Sequence, residues 1–199
     1  MPAKIKLAVF ASGGGSNARM LTRYFCSHLN IRIAAFFTNN PDSGVLAIAD
    51  EYDINCEVLS NADCKDGKIL LGVLNKHNVD FIILAGFLRK IPEEIIHCFK
   101  DKIINIHPSL LPKFGGKGMY GMRVHEAVFH SGENMTGCTI HLVNEEYDKG
   151  RILAQYFTDV DPEMSPQNIA DAVLKLEHNH FSHVIESYIL HEFPDTRSE

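Results

Sequence analysis

Residues 103–114 read "IINIHPSLLPKF", and this stretch already implies an α/β sheet with a ligand at its margin. Ile103, Ile104 and Ile106 have the character of a buried strand, yet Asn105 and His107 interrupt them with polar groups that are costly to bury. Side chains of a strand alternate between faces, so Asn105 and His107 point one way and Ile104 and Ile106 the other. Pro108 follows and cannot continue the ladder of a central strand. Two polar side chains therefore stand together at the C-terminal end of a strand, where open α/β sheets bind ligands.

The flanking sequence supplies the rest of such a sheet. "KIKLAVFAS" (4–12), "IRIAAFFT" (31–38), "CEVLS" (56–60) and "DFIILAG" (80–86) are apolar runs of strand length. Between them, "SNARMLTRYFCSHL" (16–29) has helical spacing, with Met20, Leu21, Phe25 and Leu29 on one face. "SGVLAIADEYD" (43–53, with Ser43 as N-cap), "DGKILLGVLNKHN" (66–78) and "PEEIIHCFK" (92–100) are further helices. Alternation of this kind predicts a Rossmann-like, doubly wound, mostly parallel sheet. After residue 108 the pattern changes. A glycine-rich loop, "KFGGKGMYGMR" (113–123), leads into a short helix, "VHEAVFHSG" (124–132). "TGCTIHLVNEE" (136–146) and "GRILAQYFTDV" (150–160) form an antiparallel portion, with a turn at Asp148 to Gly150. A long C-terminal helix runs from Ser165, its N-cap, to about Leu190, and the polar tail past Phe193 is expected to fray.

The 199 residues suit a single domain, 1–199, with a first half of about 1–100 and a second of about 101–199. A net charge of −6 argues against a general grip on nucleic acid or an anionic membrane. No apolar run approaches the ~18 residues of a membrane span, and the short N-terminal run passes directly into glycines, so a cytoplasmic protein is expected. Five cysteines without a C-x-x-C pair give neither a disulfide framework nor a zinc ribbon. His125 and His130, five apart on a helix, do not share a face, and no metal site is expected.

"ASGGGSNA" (11–18) joins the first strand to the first helix. Gly13, Gly15 and Ala18 satisfy the dinucleotide fingerprint, but that fold needs an acid at the end of strand two, where Thr38, Asn39 and Asn40 stand instead. The loop suits a terminal phosphate: Gly14 and Gly15 open the backbone N–H groups, the helix start adds partial positive charge, and Ser16 and Asn17 add donors. A plain strand-to-helix turn capped by Ser16 is the other reading. In the second half, Asn105, His107 and Asp148 offer an amide, an imidazole and a carboxylate. This set suits attack on a carbonyl without a covalent intermediate: Asn105 and a protonated His107 would stabilise the oxyanion, and Asp148 would keep His107 cationic.

"NIHPSLLP", preceded by "LAGFLR" and followed by "GCTIHLVNEEYDKGRILAQ", resembles the folate-dependent formyltransferases, and the match runs over nearly the whole chain. "SGGGSN" narrows the resemblance to members that act on glycinamide ribonucleotide in purine synthesis. The resemblance implies formyl transfer from 10-formyltetrahydrofolate to that amine. Asn105, His107 and Asp148 match the catalytic set, and His141 a supporting histidine. Gly14, Gly15, Ser16 and Asn17 match the phosphate loop, and Glu177 a carboxylate at the ribose. Phe87, Leu88, Arg89 and Ile91, with Val143, Asn144, Glu145, Glu146 and Tyr147, match the folate pocket. Partners implied are small molecules only, as a monomer or homodimer, with the ribonucleotide on the first half and folate and catalysis on the second. Two departures are the longer glycine-rich loop, which reads as a lid, and "NHFS" in the last helix. The rival readings are a formyltetrahydrofolate hydrolase, disfavoured because the first strand opens at Lys4 with no regulatory domain before it, and a phosphometabolite-binding module without chemistry. Transfer to methionyl-tRNA is disfavoured by the acidic balance, and transfer to a sugar nucleotide would not need the phosphate loop.

Overall fold

The computed structural model describes residues 4–194; the tail expected to fray lies largely outside them. Seven strands form one sheet: β1 (Ile5–Phe10), β2 (Ile31–Thr38), β3 (Asn55–Val58), β4 (Phe81–Leu84), β5 (Ile103–His107), β6 (Met135–Leu142) and β7 (Ile152–Asp159). The spatial order is β3-β2-β1-β4-β5-β6-β7; β1 to β5 pair in parallel, and β6 and β7 are antiparallel. Six helices pack around it: α1 (Ser16–Phe25), α2 (Val45–Tyr52), α3 (Gly67–Lys76), α4 (Glu93–Cys98), α5 (Met122–Ser131) and α6 (Pro166–Glu192). The doubly wound, mostly parallel sheet with antiparallel final strands and a long last helix is the fold expected from the sequence.

Strand alternation sorts the core into two layers. Leu7 and Val9 of β1 join Leu21 and Phe25 of α1 and Val173, Phe181 and Ile185 of α6 on one face. Ala8 and Phe10 join Leu70 and Leu74 of α3 and Ile95 and Ile96 of α4 on the other. The N-cap expected at Ser165 is present and forms a capping box: its hydroxyl accepts the Asn168 N–H at 3.2 Å, and Asn168 Oδ1 accepts the Ser165 N–H at 3.1 Å. No helix among the described residues is long and apolar enough to cross a membrane.

Three local expectations are corrected. α1 ends at Phe25, and Leu29 is 84% exposed rather than buried. His28 is the reason, because its Nδ1 accepts the N–H groups of Asn30 and Ile31 and turns the chain into β2. Gly44 rather than Ser43 is the N-cap of α2; the Ser43 hydroxyl donates to the Gly13 carbonyl at 3.0 Å and accepts the Val45 N–H at a long 3.5 Å. β6 stops at Leu142, so residues 143–151 form a loop rather than a tight turn.

Candidate functional site

The chain leaves β1 towards β2 on one side and later inserts β4 on its other side. That reversal opens a crevice at the C-terminal ends of β1 and β4. The loop after β1 (Gly13–Gly15), the loop after β4 (Ala85–Arg89) and the end of β5 (Asn105–Pro108) all line a cavity of about 620 Å³ there. The two loops are tied together: Ser12 N–H donates to the Gly86 carbonyl and Leu88 N–H to Ser12 Oγ. Asn39 and Asn40, where a dinucleotide site would carry its acid, hold the same loop. Asn39 Oδ1 accepts from Ser12 Oγ at 2.7 Å, and Asn40 Nδ2 donates to the Ser12 carbonyl at 3.0 Å.

β6 lies antiparallel to β5 with Asn105 opposite His141. Asn105 Nδ2 meets His141 Nε2 at 3.0 Å, while His141 Nδ1 meets the Leu142 carbonyl at 2.8 Å. A carbonyl only accepts, so His141 donates to it from Nδ1, and Nε2 lies between the Asn105 amide and Asp148. One Asn105 amide hydrogen remains for a ligand. Asp148 comes in from the 143–151 loop with its backbone in the left-handed region (φ 56). Its Oδ2 lies 3.6 Å from His107 Nδ1 and its Oδ1 3.7 Å from His141 Nε2. Gly116 N–H donates to Asp148 Oδ2 at 2.8 Å, joining the carboxylate to the glycine-rich loop. Burial alone would raise the Asp148 carboxyl, but His141, His107 and the Gly116 N–H together hold it below the ordinary carboxylate value.

His107 is 4% exposed, and its Nε2 donates to the Phe114 carbonyl at 2.8 Å. Burial pushes its imidazole down, outweighing Asp148 and the Phe114 carbonyl, with His141 adding to the fall. Burial thus opposes the cationic His107 expected from the sequence while the neighbouring Asp148 favours it, and Nδ1 is the ring nitrogen that faces the carboxylate.

Across the cavity, α1 begins at Ser16 after Gly15, which sits in the left-handed region (φ 76) as N-cap. No side chain caps this helix start and no acid lies in its first turn. The N–H groups of this uncapped helix start lie at the cavity wall formed by Gly13 to Asn17, an end of the kind that suits an anion. The adjoining Asn17 donates its Nδ2 to Glu177 Oε2 at 2.6 Å. Glu177 is 6% exposed, and burial pushes its carboxyl up to about 7 although Asn17 opposes the shift.

Of the residues singled out in the sequence, Gly14, Gly15, Ser16, Asn17, Phe87, Leu88, Arg89, Asn105, His107, Tyr147, Asp148 and Glu177 all line this cavity. His141 stands behind Asn105. Five expected pocket walls do not line it. Ile91 is 3% exposed in the second core layer, and Val143 packs against that layer. Asn144 Oδ1 accepts the Glu146 N–H, Glu145 pairs with His97 at 3.3 Å, and Glu146 pairs with Lys149. After β6 ends early, the loop leaves Glu145 and Glu146 exposed and Asn144 half-buried, away from the cavity. Sequence reasoning missed the α6 stripe of Ala170, Asp171 and Leu174, which stepping back from Glu177 by helical spacing would have found. It also missed His125, weighed only as a metal ligand. His125 lines the cavity, is 6% exposed, and its Nδ1 has no hydrogen-bond partner. Among the described residues no group of three or more His, Cys, Asp or Glu is placed to hold a metal ion.

Residues 5–185 match the family model described as formyl transferase. The chain is 45% identical over 191 residues to the protein of Arabidopsis thaliana named "Phosphoribosylglycinamide formyltransferase, chloroplastic", covering 92% of this chain and 65% of that one. It is 32% identical to the Bacillus subtilis phosphoribosylglycinamide formyltransferase, covering 92% of this chain and 94% of that one. It thus spans 60–65% of the length of the plant relatives it matches and nearly all of the bacterial one. Among solved structures, the phosphoribosylglycinamide formyltransferase of Brucella melitensis superposes with a TM-score of 0.83 at 32% identity, over 94% of this chain and 96% of that one. The corresponding enzyme from Anaplasma phagocytophilum gives 0.84 at 33%, over 92% and 86%. With the match running from β1 into α6, the chain belongs to the formyl transferase family.

Proposed function

We propose that this protein transfers the formyl group of 10-formyltetrahydrofolate to the amine of glycinamide ribonucleotide. The observation that carries this reading is the convergence of Asn105, His107 and Asp148 on the cavity that the α1 N-terminus also enters. The ribonucleotide phosphate sits on the N–H groups of Gly15 to Asn17 with the Ser16 hydroxyl, which puts the amine towards β5. The folate co-substrate fits the other end. Phe87, Leu88 and Tyr147 offer it apolar surface, the last two being 49% and 44% exposed, and Arg89 offers a partner for carboxylate.

As the amine attacks the formyl carbon, its carbonyl oxygen gains negative charge and takes the free amide hydrogen of Asn105. A preorganised donor of this kind is worth roughly 3 kcal/mol in the transition state. His141 holds that amide in orientation. His107, in its neutral form, accepts the proton that the amine sheds, at Nδ1. The resulting imidazolium is steadied by Asp148 and returns the proton to the departing folate nitrogen. One proton leaves the amine and one N–H forms on the folate, so the transfer balances without a further reagent.

Mixing the protein with 10-formyltetrahydrofolate, with and without glycinamide ribonucleotide, tests the proposal. Tetrahydrofolate should appear only when the ribonucleotide is present; release without it would make the protein a hydrolase, and no release with either would leave a binding module. Asn105→Ala and His107→Ala should each lower kcat by at least about 100-fold with little change in ribonucleotide affinity. Near-normal turnover in either variant would remove that residue from the mechanism.

A further inference from the structure

Residues 108–114, "PSLLPKF", follow directly on His107, and none of their side chains takes part in the proposed chemistry. Ser109 among them is nevertheless fully buried, as is Thr139 on β6. The sheet register explains why. His107 pairs with Thr139 and Thr139 with Gln155, so one row of side chains crosses β5, β6 and β7 on a single face. The 108–114 segment folds back along that row and is tied to it. Thr139 Oγ1 donates to the Ser109 carbonyl at 2.6 Å and accepts the Leu111 N–H at 3.0 Å and Gln155 Nε2 at 2.9 Å. One donor and two acceptor sites are all that a hydroxyl has, so its orientation is fixed. Gln155 Nε2 gives its other hydrogen to the Leu111 carbonyl at 3.0 Å. Ser109 Oγ closes the segment from within, donating to the Lys113 carbonyl at 2.7 Å. Just beyond, the Phe114 carbonyl accepts from His107 Nε2 at 2.8 Å, and Gly116 N–H donates to Asp148 Oδ2 at 2.8 Å.

We infer that Ser109 and Gln155 are positioning residues for the transfer: acting with Thr139, they strap the 108–114 segment across the sheet and so fix the Phe114 carbonyl and the Gly116 N–H that orient His107 and Asp148. None of Ser109, Thr139 and Gln155 lines the cavity, so each acts through the backbone it holds. The Phe114 carbonyl can only accept, which keeps a proton on His107 Nε2 and leaves Nδ1 to the Asp148 side. A slack segment would let the ring turn or change tautomer. Gln155 stands on the exposed edge strand β7, remote from any substrate contact, yet both of its amide hydrogens are committed to this strap. The consequence for rate rests on the proposed role of His107; the geometry of the strap does not.

Two variants separate positioning from packing. Gln155→Glu keeps the size of the side chain but replaces its donor with an acceptor, at an exposed site. Ser109→Ala removes only a hydroxyl. In both, kcat for formyl transfer should fall at least about tenfold while KM for ribonucleotide and for folate stays within about twofold, because a displacement of about 1 Å at the reacting groups costs on the order of 100-fold in rate. Ring-nitrogen NMR shifts of His107, assigned against His107→Ala and measured on the neutral ring at alkaline pH, should show the single Nε2-protonated tautomer in the wild type and a mixture in the variants. Near-normal kcat in a folded variant, a raised KM with kcat unchanged, or a lowered kcat with wild-type His107 signals would each overturn the inference. If Ser109→Ala does not fold, Gln155→Glu decides alone. Altered His107 signals in variants of a protein that transfers no formyl group would uphold the strap and sink the transfer reading instead.

Discussion

Glu177 shows what it costs a single residue to line a cavity from inside a core. Burial raises its carboxyl from 4.5 to about 7, so between those values the folded protein binds a proton that the unfolded chain releases. The stabilising effect of that proton is fully present below pH 4.5 and is lost as the pH rises through about 7. At pH 8 the ligand-free protein therefore holds a buried carboxylate, at a cost on the order of 3 kcal/mol. Glu177→Gln should leave the Tm at pH 4.5 nearly unchanged and raise it by several degrees at pH 8. Thermal melts of both proteins across that range check the point, and parallel curves would show that Glu177 does not titrate as its burial requires. How far such residues were legible differs from one to the next. Asn105 and His107 stood out because period-two alternation aligned them on an apolar strand. Asp148 was singled out as a carboxylate to set beside Asn105 and His107, but an Asp-x-Gly sequence is also an ordinary turn, so its signal alone was weak. His125 escaped because one histidine on an amphipathic helix carries no signal until its neighbours are known.

At the scale of elements, the glycine loop is held from beneath by the start of α2. Gly44 N–H and the Ser43 hydroxyl both reach the Gly13 carbonyl at 3.0 Å, and a Cβ on Gly44 would collide with the Gly14 carbonyl. The clash is with backbone, which cannot rotate away as a flexible side chain could. Gly44→Ala should therefore push the loop off the α1 N-terminus, weakening phosphate binding by at least about tenfold, with a fold destabilisation of roughly 1–3 kcal/mol. Calorimetric titration with inorganic phosphate, alongside a denaturant melt, measures both, and intact phosphate affinity would show that α2 does not set the loop. The sequence announced the loop through its three successive glycines but not this clamp, because close approach between residues thirty positions apart leaves no periodic trace. Helix and strand ends suffered in the same way. Leu29 fits the apolar spacing of α1, yet the His28 side chain competes for the backbone and ends the helix four residues sooner. The early end of β6 likewise frees Asn144 to Glu146 from the pocket they were expected to line.

For the whole molecule, sheet order is the property that matters. It was legible in outline because alternating apolar runs and amphipathic helices permit few right-handed windings. The reversal at β1 and β4 follows from that order, and it draws the cavity walls from both halves of the chain: α1 and the β4 loop from the first, β5, the 143–151 loop and α6 from the second. A ligand spanning those walls binds only the folded arrangement and so stabilises the entire fold by mass action. Saturation at about 100 times Kd adds roughly 2.7 kcal/mol, which for a chain of this size raises Tm by about 5–10 °C. Glycinamide ribonucleotide and a formyl-folate analogue should each produce such a shift, and Ser16→Ala should shrink the first while leaving the second intact. Loss of both shifts in Ser16→Ala would mean that the anion end and the folate end are not separable parts of one cavity. Persistence of the ribonucleotide shift would mean that the phosphate does not need the Ser16 hydroxyl, leaving the backbone N–H groups of α1 to hold it alone.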